Sequence, residues 1–176
     1  MKVIDMLSHD LTLMAPEIFC AAMVLVLTIL GAIRGDRSLS FVLFLAAVSC
    51  VLTIAELATN ASYWDRAVLF NGMFVVDAFA TTVKIFCLSG MTLLFIMMGG
   101  ALRADQMARF EFPILVMISG IGMMIMASSN HFLTMYMGVE LSALALYVLA
   151  AFWRDSVLSS EAGMKYFVLG ALSSGM

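Results

Sequence analysis

The sequence predicts an all-α protein, a polytopic bundle of transmembrane helices. Hydrophobic residues make up 64% of the 176 residues and charged residues only 12%, whereas soluble domains are about 45–50% apolar and about 25% charged. Several apolar runs are roughly 20 residues long, the length that crosses a bilayer as a helix. Because lipid offers the backbone no hydrogen bonds, such runs must be helical.

Six apolar runs define the predicted helices. Pro16 suits the first turn of helix one, where its missing N–H is harmless, and Asp77 is the expected N-cap of helix three. Gly120 and Gly122 in helix four would let a neighbouring helix approach closely. The predicted helices are Leu13–Ile33, Leu39–Ala58, Asp77–Leu102, Phe112–Ala127, Phe132–Trp153 and Glu161–Met176, with the polar stretch Thr59–Gly72 as the longest loop.

Helix six is still apolar at Met176. From Met164 onward it rises only roughly 20 Å, against a hydrocarbon core of roughly 30 Å. We therefore expect this helix to be cut short and the chain to be the N-terminal part of a longer protein.

The positive charges are distributed unequally between the two sets of loops, which predicts the orientation in the membrane. Lys and Arg concentrate in cytoplasmic loops. The loops after helices one, three and five hold five of these residues, and the N-terminus with the other loops holds two, which places the N-terminus outside. The first set is Arg34, Arg37, Arg103, Arg109 and Arg154, and the second is Lys2 and Arg66.

Composition and motifs also exclude some classes of protein. No basic run with interleaved aromatic residues indicates a nucleic-acid partner. The three cysteines fall inside apolar runs without metal-ligand spacing, which is typical of small core residues. They are Cys20, Cys50 and Cys87.

Glu140 is the most informative charged residue, because it stands near the middle of the apolar run of helix five. A charged side chain at that depth costs roughly 2.5–3.5 kcal/mol on insertion scales and is a candidate for a proton or ion path. Tyr136 and Tyr147 lie on the same helical stripe, four residues before and seven residues after it. These phenols could seat water and relay a proton. The alternative is a hydrogen-bonded glutamate that joins two helices.

The two intramembrane lysines each allow two interpretations. Lys165 could be a buried base, or it could only pair with Glu161 one turn earlier. Lys84, two turns inside helix three, could be a buried functional base or an anchor that reaches the interface. Glu17 is expected to interact with the helix dipole at the level of the lipid headgroups, and Glu56 to reach the interface.

An acid and a base inside a membrane can influence each other's protonation. At a separation of about 10 Å and an effective dielectric of about 20, one unit charge contributes roughly 1.7 kcal/mol. Moving one charge across 100 mV takes about 2.3 kcal/mol. Moving a lysine toward or away from a carboxylate could therefore load or release a proton against a membrane potential.

The last third of the chain carries two motifs, LTMYMGVELSALALYVLAAFWRDS and SEAGMKYFVLGALSSG, and weaker ones are APEIF and DAFATTVK. In these motifs the chain resembles the subunit N family of NADH–quinone oxidoreductase, the respiratory complex I. This family is related to cation/proton antiporters. The resemblance implies a fourteen-helix, non-redox, proton-translocating membrane subunit, of which six helices are present here.

The resemblance also implies residue roles and partners. Glu140 matches the family's functional glutamate of helix five, Lys165 its helix-six lysine, and Lys84 a recurrent helix-three lysine. It implies other membrane subunits and the lipid bilayer of the bacterial inner membrane as partners. It implies no cofactor on this chain, with NADH, FMN, iron–sulfur clusters and quinone bound elsewhere in the complex.

Two departures and two alternatives accompany the resemblance. His131 stands where the family more often has an acidic residue, and the later helices that complete the family's proton channel lie beyond Met176. The alternatives are a subunit of a cation/proton antiporter of the same superfamily, and a structural scaffold in which Glu140 only holds helices together.

Overall fold

Six long helices build the part of the protein that the structure describes. The computed structural model describes residues 9–35, 39–104, 109–153 and 155–176, with only the backbone at 100–104. The helices are α1 (Ala15–Arg34), α2 (Leu39–Thr59), α3 (Ala78–Ala104), α4 (Glu111–Ala127), α5 (Phe132–Ala150) and α6 (Val157–Gly175). This confirms the predicted helical membrane fold. The loop arginines Arg37 and Arg154, and Lys2, lie outside the described residues, so the orientation stays a prediction.

Four of the described helices are long and apolar enough to cross a membrane. They are Ala15–Arg34, Leu39–Thr59, the Ala78–Gly99 part of α3, and Phe132–Ala150. α4 is also apolar but has only 17 residues. α4 and α5 make the most extensive contact, α3 packs against α2 and α4, and α6 packs mainly against α5. The core therefore lies among α1 to α4, where Leu27, Val42, Leu57 and Leu88 are fully buried.

The turn between α5 and α6 differs from the prediction at both ends. α5 ends at Ala150 rather than Trp153, and α6 begins at Val157 rather than Glu161. Ser156 caps α6 by accepting a hydrogen bond from the Ser159 N–H. The Ser159 hydroxyl in turn donates to the Ala150 carbonyl at 3.0 Å. These serines satisfy backbone groups that apolar side chains would leave unpaired. Their hydrogen bonds therefore fix where α5 ends and where α6 begins.

The segment predicted as the long loop Thr59–Gly72 contains short regular structure. Two strands, β1 (Ala67–Leu69) and β2 (Phe74–Val76), pair antiparallel with Leu69 opposite Phe74. The turn between them uses positive φ angles at Phe70, Asn71 and Gly72. Asn-Gly between apolar runs is a strong hairpin signal, so the sequence did contain the information for this element.

The hairpin closes one end of the helix bundle. The Val75 N–H donates to the Ser128 carbonyl at 2.8 Å, and the Asn130 N–H donates to the Met73 carbonyl at 3.1 Å. The Phe70 N–H donates to Oδ2 of Asp10 at 3.2 Å. We call this part of the molecule, made of residues 9–14, 60–77 and 128–131, the hairpin end. It joins the start of α1 to the turn between α4 and α5.

Candidate functional site

Glu140 lies in a cleft between α5 and α6. It is the ninth residue of the 19-residue α5 and is partly exposed. The cleft has a volume of about 450 Å³, and its lining includes Tyr136, Glu140, Tyr147, Gly170 and Ser173. The predicted grouping of the two phenols with the carboxylate is therefore observed. Within the part of the chain that the structure describes, no cation forms an ion pair with Glu140.

Tyr147 is held in place by α6. Its ring is buried and packs edge-on against Tyr166, with ring centroids 4.8 Å apart, and against Phe167 at 5.7 Å. Its hydroxyl lies against the backbone of Gly170, where a Cβ atom would clash with it. Gly170 is thus a positioning residue for the cleft that the sequence analysis missed, because a glycine inside a helix indicates close packing without naming the partner.

Lys165 lies outside this cleft. Its Nζ is 2.6 Å from Oε1 of Glu161, one turn earlier on the same helix. Both side chains are largely exposed, Lys165 by 69% and Glu161 by 52%. The structure therefore matches the pairing interpretation of Lys165, and it does not bring this lysine to Glu140. The pair occupies a face of α6 that the rest of the described chain leaves uncovered.

Lys84 and Glu17 form a buried ion pair at the hairpin end. Nζ of Lys84 lies 2.6 Å from Oε1 of Glu17, and the side chains are only 1% and 3% exposed. The ring of Phe74 in β2 covers the ammonium group, with its centroid 5.2 Å from Nζ. The anchor interpretation of Lys84 is therefore wrong, because the hairpin covers its ammonium group. Glu17 does lie in the first turn of α1, as expected for a residue that interacts with the helix dipole, and its place relative to the lipid headgroups stays a prediction.

Glu56 and Tyr63 form a second polar pair beside the first. The Tyr63 hydroxyl donates to Oε1 of Glu56 at 3.0 Å and also lies 3.3 Å from the Thr12 carbonyl. Tyr63 is almost fully buried, and Glu56 is partly buried. Burial raises the pKa of the Tyr63 phenol, and its hydrogen bond to the Glu56 carboxylate raises the pKa further. Loss of the phenol proton is therefore disfavoured here.

One signal in the sequence indicates that Lys84 has an acidic partner, without showing which residue supplies it. A lysine inside an apolar run needs a counter-charge, and Glu17 is the acidic residue in the first turn of α1, at the same end as the start of α3. Cys20 and Cys50 are buried free thiols, as expected of core residues. Among the described residues no group of three or more His, Cys, Asp or Glu side chains could hold a metal ion.

Comparison with known proteins adds independent information. Residues 129–176 match the family model described as NADH:quinone oxidoreductase/Mrp antiporter, TM. The chain is 42% identical to NADH-quinone oxidoreductase subunit N of Methylobacterium nodulans, over 92% of this chain and 33% of the relative. It is 44% identical to subunit N of Maricaulis maris, over 98% of this chain and 36% of the relative.

The fold is similar to that of a solved structure. A chain of respiratory complex I from Thermus thermophilus with bound aureothin superposes with a TM-score of 0.72 and 28% sequence identity. The match covers 91% of this chain and 34% of that one. The chain thus spans about a third of the length of the curated relatives and of the solved chain that it matches.

Proposed function

Because the chain belongs to the family of NADH-quinone oxidoreductase subunit N, we propose that it works as a proton-translocating membrane subunit of that enzyme. In this role it couples electron transfer from NADH to quinone to the pumping of protons. The family and the apolar helices make the chain a multi-pass protein of the bacterial inner membrane. Its partners are the other membrane subunits and the lipid. NADH, FMN, iron–sulfur clusters and quinone are bound by other parts of the complex.

Glu140 carries this proposal. A carboxylate halfway along a membrane helix costs roughly 2.5–3.5 kcal/mol, and this one faces a cleft with two phenols and without a cation partner among the described residues. A purely structural glutamate would be expected to bond to a neighbouring helix, since an unpaired buried polar group is costly. A carboxyl group that opens onto a cleft with two phenols can instead accept and release protons, with Tyr136 and Tyr147 ordering the water around it.

Lys165 and Lys84 belong to the proposed path at two different places. Lys165 pairs with Glu161 on an exposed face of α6, so it acts on Glu140 only through charge or through groups that cover this face in the complex. Lys84 lies at the hairpin end with Glu17. The alternative function is that of a cation/proton antiporter subunit, since the matched family model also names Mrp antiporters.

The test is the variant Glu140→Gln in the full-length subunit within the assembled complex. Glutamine keeps the shape of the side chain and cannot hold the charge. We expect electron transfer and assembly to persist while NADH-driven proton uptake by inverted membrane vesicles falls strongly. Glu140→Asp, which keeps a carboxyl group, should retain part of the uptake.

Ser142→Ala is the matched control on the same helix. The Ser142 hydroxyl faces α4 and bonds to Ser119 at 3.0 Å, away from the cleft, so proton uptake should stay near the wild-type level. Normal uptake by Glu140→Gln would refute the proton-path role. Loss of assembly in Glu140→Gln alone would support the scaffold role, and sodium-dependent transport without NADH-linked activity would support the antiporter role.

A further inference from the structure

The Glu17–Lys84 pair is positioned to do more than hold α1 against α3. Both groups are sealed from solvent. Lys84 satisfies one oxygen of the carboxylate, whereas the second oxygen, Oε2, is buried and accepts no hydrogen bond from any residue that the structure describes. A buried carboxylate oxygen without a partner is costly. This oxygen is therefore free to bind a proton or a water molecule.

Helix geometry places Glu56 on the neighbouring helix at the level of Glu17. α1 and α2 run antiparallel and touch where Sγ of Cys20 lies 3.5 Å from Oγ1 of Thr53. Glu17 lies one turn before Cys20, and Glu56 lies one turn after Thr53, so both are one turn closer to the hairpin end. The two carboxylates thus lie at the same level on facing helices, one turn from the Cys20–Thr53 contact toward the hairpin end.

Tyr63 connects Glu56 to the outside of the hairpin end. Its hydroxyl bonds to Glu56 at 3.0 Å, and its side chain is part of the wall of an open hollow of about 340 Å³. The rest of this wall includes the polar residues His9, Thr12, Asn60 and Asp65. Contacts therefore connect Lys84 to Glu17 and connect Glu56 to Tyr63 and the hollow, with the two carboxylates at the same level on facing helices.

We propose that Lys84, Glu17, Glu56 and Tyr63 form the exit through which this subunit releases protons at the hairpin end. This inference rests on the proposed function. In the first step the Nζ–H bond of Lys84 breaks as an O–H bond forms on Glu17, which leaves a neutral amine and a carboxylic acid. Glu17 then passes the proton by way of water to the Glu56 carboxylate, which the Tyr63 hydroxyl orients, and Glu56 releases it to water in the hollow. Lys84 regains a proton from inside the subunit.

A structural role and a proton-carrying role of the Glu17–Lys84 pair predict different behaviour of variants that lack the charges. Glu17→Gln alone would leave Lys84 buried and unpaired and could disturb folding. The double variant Glu17→Gln/Lys84→Gln removes both charges and keeps two polar side chains of similar size. A structural role requires only that the charges balance, so the double variant would assemble and pump. A proton exit requires groups that ionise, so under this role the double variant would assemble but would not pump protons.

The experiment measures assembly, NADH–quinone electron transfer and NADH-driven proton uptake for the full-length subunit in the complex. We expect the double variant to assemble and to lose proton uptake to the same extent as Glu140→Gln. Glu56→Gln should lose uptake as well, whereas Glu17→Asp should retain part of it. The control is Ser49→Ala on α2, which removes a buried hydroxyl that donates to the Ala46 carbonyl at 2.7 Å and lies 4.0 Å from Sδ of Met117.

The outcomes separate this inference from the function on which it rests. Normal proton uptake by the double variant, together with loss of uptake in Glu140→Gln, would refute the exit and leave the proposed function intact. Normal uptake by both variants would refute the exit and the proposed function together. Loss of uptake in Ser49→Ala equal to that in Glu56→Gln would also refute the exit, because any polar change on α2 would then suffice.

Discussion

Gly122 of α4 and Gly138 of α5 face each other so closely that neither has room for a side chain. A Cβ atom on Gly122 would lie 2.7 Å from the Gly138 carbonyl oxygen, and one on Gly138 would lie 2.9 Å from the Gly122 carbonyl oxygen. The neighbouring atoms are backbone, which cannot turn aside. This crossing sets the spacing of the most extensive helix pair among the described helices, as small residues do in membrane bundles.

We predict that Gly122→Ala weakens the packing of α4 on α5. The added methyl group forces the two backbones apart, and overpacking of this kind costs about 1–3 kcal/mol. Thermal unfolding of the detergent-solubilised protein should show a lower midpoint. Gly90→Ala is the control, since a Cβ there meets no atom within 4 Å. Equal midpoints for the two variants would contradict the proposed role of the crossing.

Substitution of Lys165 is expected to change proton uptake without changing the stability of the protein. Its ion pair with Glu161 is largely exposed, and a helix pair of this spacing contributes only about 0.2–0.5 kcal/mol. Lys165→Met should therefore leave the unfolding midpoint nearly unchanged while it lowers NADH-driven proton uptake. Glu161→Gln breaks the same pair and keeps the lysine, so it should retain more uptake. Equal uptake by Lys165→Met and the wild type would remove Lys165 from the path.

The burial of the Tyr63 phenol leads us to predict that the stability of the folded protein falls at alkaline pH. Its pKa is raised in the folded protein, so the folded state holds the phenol proton more tightly than the unfolded state, in which the pKa is about 10. The stabilisation is complete below that pH and is lost as the pH rises toward the folded pKa, by up to about 1.4 kcal/mol per pH unit. The unfolding midpoint should thus fall with pH above about pH 10.

The Tyr63→Phe variant isolates this effect. It loses the hydrogen bond to Glu56, worth about 1 kcal/mol, and should be less stable at neutral pH but less sensitive above about pH 10. Tyr166→Phe, on the exposed side of α6, serves as the control and should follow the wild type. Parallel loss of stability in the wild type and in Tyr63→Phe would show that other groups cause the alkaline sensitivity.

The helices could be predicted from the sequence, but the partners of the charged side chains could not. Apolar length fixes a helix by itself, and Asp77 does cap α3, accepting from the Ala80 N–H at 2.7 Å. The Glu161–Lys165 pair was also predictable, because both residues lie on one helix. The Glu17–Lys84 pair joins helices far apart in sequence, and its burial depends on the hairpin. Single-residue patterns do not contain that information.

The cleft around Glu140 likewise has features that the sequence predicts and features that depend on helix packing. Tyr136, Glu140 and Tyr147 share a face because one helix carries all three, and spacing alone predicts this. That Gly170 makes room for the Tyr147 hydroxyl depends on how α6 crosses α5. Prolines and the Asp77 cap predicted helix starts from local sequence. The observed end of α5 at Ala150 and start of α6 at Val157 differ from the prediction because the Ser159 side chain bonds back across the turn to the Ala150 carbonyl.

The hydrogen bonds of the hairpin end also have a mechanical consequence. The Asn130 side-chain amide donates to the Gly72 carbonyl at 2.9 Å, and the Thr81 hydroxyl donates to the Tyr63 carbonyl at 2.6 Å. The start of α3 and the turn between α4 and α5 are therefore fastened to the same hairpin. If these helices tilt during turnover, the fastened end acts as the pivot. α3 is roughly 40 Å long, so a tilt of about 5° moves its far end by roughly 3.5 Å while Lys84 hardly shifts.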